Sequence, residues 1–242
     1  MKSLRLLLCT FFSLVLGMPA AFAANANAPA PGPQKEYIIL SGGPSLFVWE
    51  KWKAQPHDMW WMNFIRAGRI RIQELEAQGV PGSEITWLVY SPSYKTRAKQ
   101  EKQDLLSDIT SVRDRYGIHL QFFNKSRQVI DYLNSGKPRD RVKIADFEYF
   151  GHSNKACWLF DYSNNIDSAS KVWLHEDDLK QIHRGIFTRD AFVKSWGCHT
   201  GESMSQKFRK ATGVKMWGAI GRTQYNTDTL PSLVNADGKW KY

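Results

Sequence analysis

Residues 191–201 read Ala191-Phe192-Val193-Lys194-Ser195-Trp196-Gly197-Cys198-His199-Thr200-Gly201, and residues 147–154 read Phe147-Glu148-Tyr149-Phe150-Gly151-His152-Ser153-Asn154. Each is a short apolar run that stops at a glycine, and each reads as a buried strand ending beside a reactive side chain. Working outward, apolar runs alternate with amphipathic stretches. Strands are expected at 37–40, 85–90, 118–123, 144–150, 191–196 and 214–220, with a strand or hairpin at 156–161. Helices are expected where apolar residues recur at helical spacing: Trp61, Phe64, Ile65, Ile72 and Leu75; Leu105, Leu106, Ile109, Val112 and Tyr116; Val129, Ile130 and Leu133; Met204, Phe208 and Ala211. A short helix is expected at 176–183. Strands separated by helices imply right-handed crossovers, hence an α/β fold with a mostly parallel sheet and helices on both faces. Reactive groups in such sheets sit where strands end at their carboxyl edge.

The chain has 242 residues, of which 43% are hydrophobic, and that suffices for one substantial core. Charged residues make up 23%, which is too little against that apolar content for a disordered chain. Residues 1–23 read as a secretory signal peptide. Lys2 and Arg5 give a positive start, 6–16 an apolar stretch, and Ala21-Phe22-Ala23 small residues at the cleavage site. That stretch is too short to span a bilayer, and no later one is long enough, so stable membrane insertion is not expected. Residues 24–36 are rich in Ala, Asn and Pro and read as a flexible leader, leaving 37–242 as a single domain, exported to the periplasm or secreted. Of the three cysteines, Cys157 and Cys198 remain after the signal peptide is cut, too few for a disulfide scaffold.

His152 and Cys198 each follow a strand. If the strands are parallel neighbours, the two side chains emerge at one edge, the minimum for thiol catalysis: the imidazole takes the proton and the sulfur attacks a carbonyl. Gly151 and Gly197 allow tight turns and close backbone approach to a substrate. Amides at Gly151 to Ser153 and at Cys198 are candidates for an oxyanion hole. A helix starting near Glu202 would turn its positive end toward Cys198 and favour a thiolate.

An apolar strand ending in Gly-His, followed some tens of residues later by one ending in Gly-Cys, resembles the caspase-like cysteine peptidases of clan CD. The stretch Cys198-His199-Thr200-Gly201, the helix around Phe208, Gly213 and Met216-Trp217-Gly218-Ala219-Ile220-Gly221 resemble bacterial caspase-like domains in particular. The resemblance implies a caspase-like three-layer sandwich, His152 as catalytic histidine, Cys198 as nucleophile and a peptide or protein substrate, with no cofactor or metal. It implies that 217–225 helps to set specificity, with Trp217 walling a pocket and either Arg222 facing an acidic or Asp161 a basic P1 side chain. One position departs from the pattern: Ser153 stands where the family usually carries glycine.

Competing readings follow from the same residues. A Cys157–Cys198 disulfide would remove the nucleophile and leave an inactive interaction module of the cell envelope. Trp49, Trp52, Trp60 and Trp61 would suit a carbohydrate- or wall-directed protein, or simply packing. Arg66, Arg69, Arg71, Lys95, Arg97, Lys99 and Lys102 interleave with Glu74, Glu76, Glu101 and Asp104, which reads as a solvated helix face rather than a nucleic-acid surface. His175, His183 and His199 fit no metal-ligand spacing, and Gly42-Gly43-Pro44-Ser45 matches no phosphate-binding loop.

Overall fold

A computed structural model of the protein describes residues 34–45, 61–162 and 170–242. Five strands form the central sheet: β1 (Gln34–Ser41), β2 (Ile85–Tyr90), β3 (His119–Phe123), β4 (Val142–Phe150) and, at the far edge, Phe187–Ser195. All neighbours are parallel. Between β4 and that edge strand lie β5 (His152–Ser153), β6 (Cys157–Asp161) and β7 (Val172–His175), an antiparallel trio; the edge strand is therefore β8. Sheet order is β3-β2-β1-β4-β8. The chain runs one way from β1 and the other way from β4, so the topological switch lies between β1 and β4.

Alternation along the strands builds two apolar layers. Ile38, Leu40, Leu88, Tyr90, Phe147, Tyr149 and Val193 face α4 (Arg127–Ser135) and α5 (Met204–Thr212) through Val129, Ile130, Leu133, Met204 and Phe208. Ile39, Trp87, Val89, Phe150 and Trp196 face α1 (Asn63–Ala77), α2 (Ser91–Glu101) and α3 (Leu105–Tyr116) through Phe64, Ile65, Ile72, Leu75, Tyr94, Leu105 and Ile109. Helices thus cover both faces, as the alternating pattern implies. Truncating a fully buried residue such as Leu88 to alanine is worth about 2–5 kcal/mol.

Several boundaries differ from the expectations, each for a physical reason. Strand β1 starts at Gln34 rather than 37, so residues 34–36 belong to the sheet and not to a leader. Glu36 is buried there, ion-paired to Arg139 and accepting from Thr86 Oγ1 and Tyr132 Oη at 2.7 Å each. Helix α2 was not expected: it starts directly from β2, with Pro92 in its first turn. The expected 176–183 helix is only a 3-10 turn, Asp178–Gln181. The expected 214–220 strand shrinks to β9 (Gly218–Ile220), preceded by a single parallel bridge from Trp217 to Lys194. The chain continues through β10 (Thr223–Gln224), β11 (Ser232–Leu233) and β12 (Lys239–Lys241). β10 pairs antiparallel with β11, and β12 with β9.

Among the described residues no helix is long and apolar enough to cross a membrane. The expected signal peptide, residues 24–33 and Trp49, Trp52 and Trp60 lie outside the described residues.

Candidate functional site

The carboxyl ends of β4 and β8 meet. Tyr149 pairs with Ser195, and the Trp196 amide donates to the Tyr149 carbonyl at 2.9 Å. Each strand then passes a glycine that packing demands. A Cβ on Gly197 would collide with Ser153 Oγ and lie 3.0 Å from the Gly151 carbonyl oxygen, and one on Gly151 would collide with Tyr149 Oη. The two turns are thus pressed together, and His152 and Cys198 emerge on the same rim. The Ser153 hydroxyl ties them, donating to the Cys198 carbonyl oxygen at 2.7 Å.

Cys198 is half-buried and its thiol is free. The Thr223 amide donates to Sγ at 3.4 Å, and Thr223 Oγ1 lies 3.6 Å away while donating to the Trp196 carbonyl at 2.8 Å. The next residue, His199, is left-handed at φ 63°. Its amide donates to the Gly221 carbonyl at 2.7 Å, and its Nδ1 lies 2.6 Å from Glu202 Oε1, which also receives the Gly221 amide. These contacts hold an otherwise unfavourable backbone turn immediately after the sulfur.

His152 sits on β5. Its ring packs edge-on against Phe64 and tilted against Tyr162, each at 4.9 Å between centroids. Tyr149 Oη donates to its carbonyl at 2.7 Å. This is a positioned imidazole with aromatic walls.

Other sequence-derived assignments fare differently. The Gly151 amide donates to Tyr225 Oη at 2.8 Å, so it is engaged within the fold rather than turned toward an oxyanion. Ser153 serves as the tie just described. Helix α5 begins only at Met204, beyond a 3-10 turn at Thr200–Glu202, and the Met204 amide donates to the Lys155 carbonyl. The macrodipole acts within about one turn, so direct support of Cys198 by that helix is withdrawn. Cys157 and Cys198 are both free, so the disulfide is not formed. Burial, with Glu176 and Asp178, pushes the Cys157 thiol up.

Trp217 packs edge-on against Tyr242 at 4.4 Å, with its backbone bonded to Val193 and Ser195. Arg222 is exposed. Asp161 is buried and accepts from Tyr90 Oη at 2.7 Å. Trp61 is buried in the α1 layer. Among the described residues, no group of three or more His, Cys, Asp or Glu side chains could hold a metal ion.

Thr223 and Tyr225, from the 217–225 stretch, Phe64, from the apolar face of α1, and Tyr162 complete the surroundings of the pair; no motif assigns any of them individually to the site. A second polar cluster lies on the α1 face of the sheet. Arg71 is not on a solvated face: it is ion-paired to Glu148, Asp146 (2.8 Å) and Glu74 (3.1 Å). Arg97, only 2% exposed, reaches the Ser45 carbonyl at 3.2 Å and Glu101 at 2.6 Å. Glu148 Oε2 accepts from Trp196 Nε1 at 2.6 Å, and the Lys194 ammonium lies 3.4 Å from the Trp196 ring centroid and 3.9 Å from that of Trp240. Burial pushes the Asp146 carboxyl well above its ordinary range, Glu148 adds to this, and Arg71 opposes it.

No protein-family model, curated protein or solved structure matches the chain.

Proposed function

We propose that the chain is an exported, caspase-like cysteine endopeptidase. The observation that carries this is the meeting of the two strand ends: His152 and Cys198 leave neighbouring parallel strands on one rim, tied by Ser153. His152 accepts the thiol proton as Cys198 Sγ bonds to the scissile carbonyl carbon. It returns that proton to the leaving amine as the C–N bond breaks. Water, deprotonated by the same imidazole, then hydrolyses the thioester and regenerates the thiol. With the Gly151 amide engaged by Tyr225, the Cys198 amide is the proposed oxyanion donor. This chemistry calls for neither metal nor organic cofactor.

A second reading, an inactive interaction module on the same fold, draws on that engaged Gly151 amide and on Ser153. A peptide-library cleavage assay on the purified protein and on Cys198→Ala separates the two. The peptidase reading expects cleavage that disappears in the variant. No cleavage by either protein, or equal turnover by both, removes it.

A further inference from the structure

A cavity of about 460 Å³ opens on the face of the sheet covered by α1, lined by Tyr37, Asp146, Glu148, Phe192, Lys194 and Trp196 among others. Asp146, Glu148, Phe192 and Lys194 precede the ends of β4 and β8, Trp196 follows β8 directly, and neither His152 nor Cys198 lines the cavity. Both Glu148 oxygens are engaged, one by Arg71 and one by Trp196 Nε1. Asp146 is only 4% exposed; its Oδ2 accepts from Arg71, while its Oδ1 is buried with no hydrogen-bond partner among the described residues. The nearby ammonium of Lys194 lies over the Trp196 and Trp240 rings and makes no ion pair with that oxygen.

Burial and Glu148 disfavour the ionised form of Asp146, and its Oδ1 lacks a partner; a cationic donor in the cavity beside it pairs that oxygen and favours the carboxylate. A guest that brings N–H groups and positive charge meets both needs. The lining sets Lys35, Arg71 and Lys194 against Asp146, Glu148 and Asp190, with Arg71 already paired to both buried carboxyls; an anion or a purely apolar guest would leave Asp146 Oδ1 unpaired. Tyr37 and Phe192 offer flat apolar walls for the rest of the guest.

We propose that this cavity is a binding site for a small organic cation, an amidinium, guanidinium or primary ammonium on an apolar body, whose N–H groups donate to Asp146 Oδ1. Recognition lies in charge and hydrogen bonding at one end and aromatic contact along the other.

Benzamidine is the probe, with neutral benzamide as its control, measured by titration calorimetry on the purified protein. The expected result is saturable one-to-one binding, weaker by about tenfold or more for benzamide and for Asp146→Asn, as loss of a charge-assisted hydrogen bond requires. Phe192→Ala, at a ring 40% exposed and safe to truncate, should weaken binding about threefold or more. Cys198→Ala should bind as the wild type does. No saturable uptake by the wild type, or equal affinity for benzamide, overturns the proposal. Loss of binding in Cys198→Ala does so as well, because it moves the guest to the other rim. Should Asp146→Asn not fold, undiminished binding by Phe192→Ala overturns it alone.

Discussion

The Ser153 hydroxyl donates to the carbonyl oxygen of Cys198 across 2.7 Å, joining the turn after β4 to the turn after β8. The bond spans 45 positions of sequence and fixes the sulfur-bearing backbone against the imidazole-bearing one. Replacing it with Ser153→Ala removes one neutral hydrogen bond, worth about 0.5–1.5 kcal/mol. The expected outcome is a loss of that size in denaturant titration and a fall of about two- to tenfold in kcat/KM. An unchanged kcat/KM would show that the tie does not position the sulfur.

Gly197→Ala tests the same junction by overfilling it. The added methyl meets Ser153 Oγ and sits 3.0 Å from the Gly151 carbonyl oxygen. Overpacking of this kind costs about 1–3 kcal/mol. Adding Ser153→Gly relieves the first clash but not the second, so the double variant should recover part of the lost stability. Strict additivity of the two substitutions would contradict direct contact.

Arg71→Met strips the buried carboxylates of their main partner. Asp146 and Glu148 are nearly or wholly buried, and removing one member of such a network is strongly destabilising, by about 3–5 kcal/mol. Chemical denaturation of the variant measures it. A change within about 0.5 kcal/mol would mean that this arginine behaves as a surface residue.

Lys194 gives the network a pH signature. Burial lowers its ammonium from 10.5 to about 8, with Glu148 pulling upward and Arg71 pushing further down. Between those values the unfolded chain holds a proton that the folded chain has released. Stability from this residue is therefore gained as pH rises toward its unfolded value and lost as pH falls through about 8. Thermal midpoints of wild type and Lys194→Met, compared from about pH 8 to about pH 10, should diverge in favour of the wild type. A flat difference would contradict the burial of the charge.

Much of the fold was legible because its strands are apolar runs stopped by glycine or turn residues. The expected 85–90 strand and 105–116 helix coincide with β2 and α3. Helix α2 was hidden because Ser91–Glu101 carries few apolar residues and buries Arg97 instead. The carboxyl-edge rule put both strand ends on one edge of the sheet, while their adjacency was a condition that the β4–β8 pairing meets. The 217–225 stretch was expected near the pair, but the individual contacts of Thr223 with Cys198 and of Tyr225 with Gly151, across 25 and 74 positions, leave no local sequence pattern. The Arg71 cluster left one trace: Asp146 and Glu148 alternate within the largely apolar second half of β4. That period-two pattern marks one buried face, and charges there demand partners.

The most direct test of the Cys198–His152 pair is covalent capture with a library of peptidyl acyloxymethyl ketones, followed by peptide mapping. Nucleophilic attack by Cys198 Sγ displaces the carboxylate and leaves a thioether. One adduct is expected, on Cys198, formed at least about tenfold more slowly in His152→Ala, a conservative share of what a general base supplies. An adduct confined to Cys157, or equal rates with and without the imidazole, would contradict it.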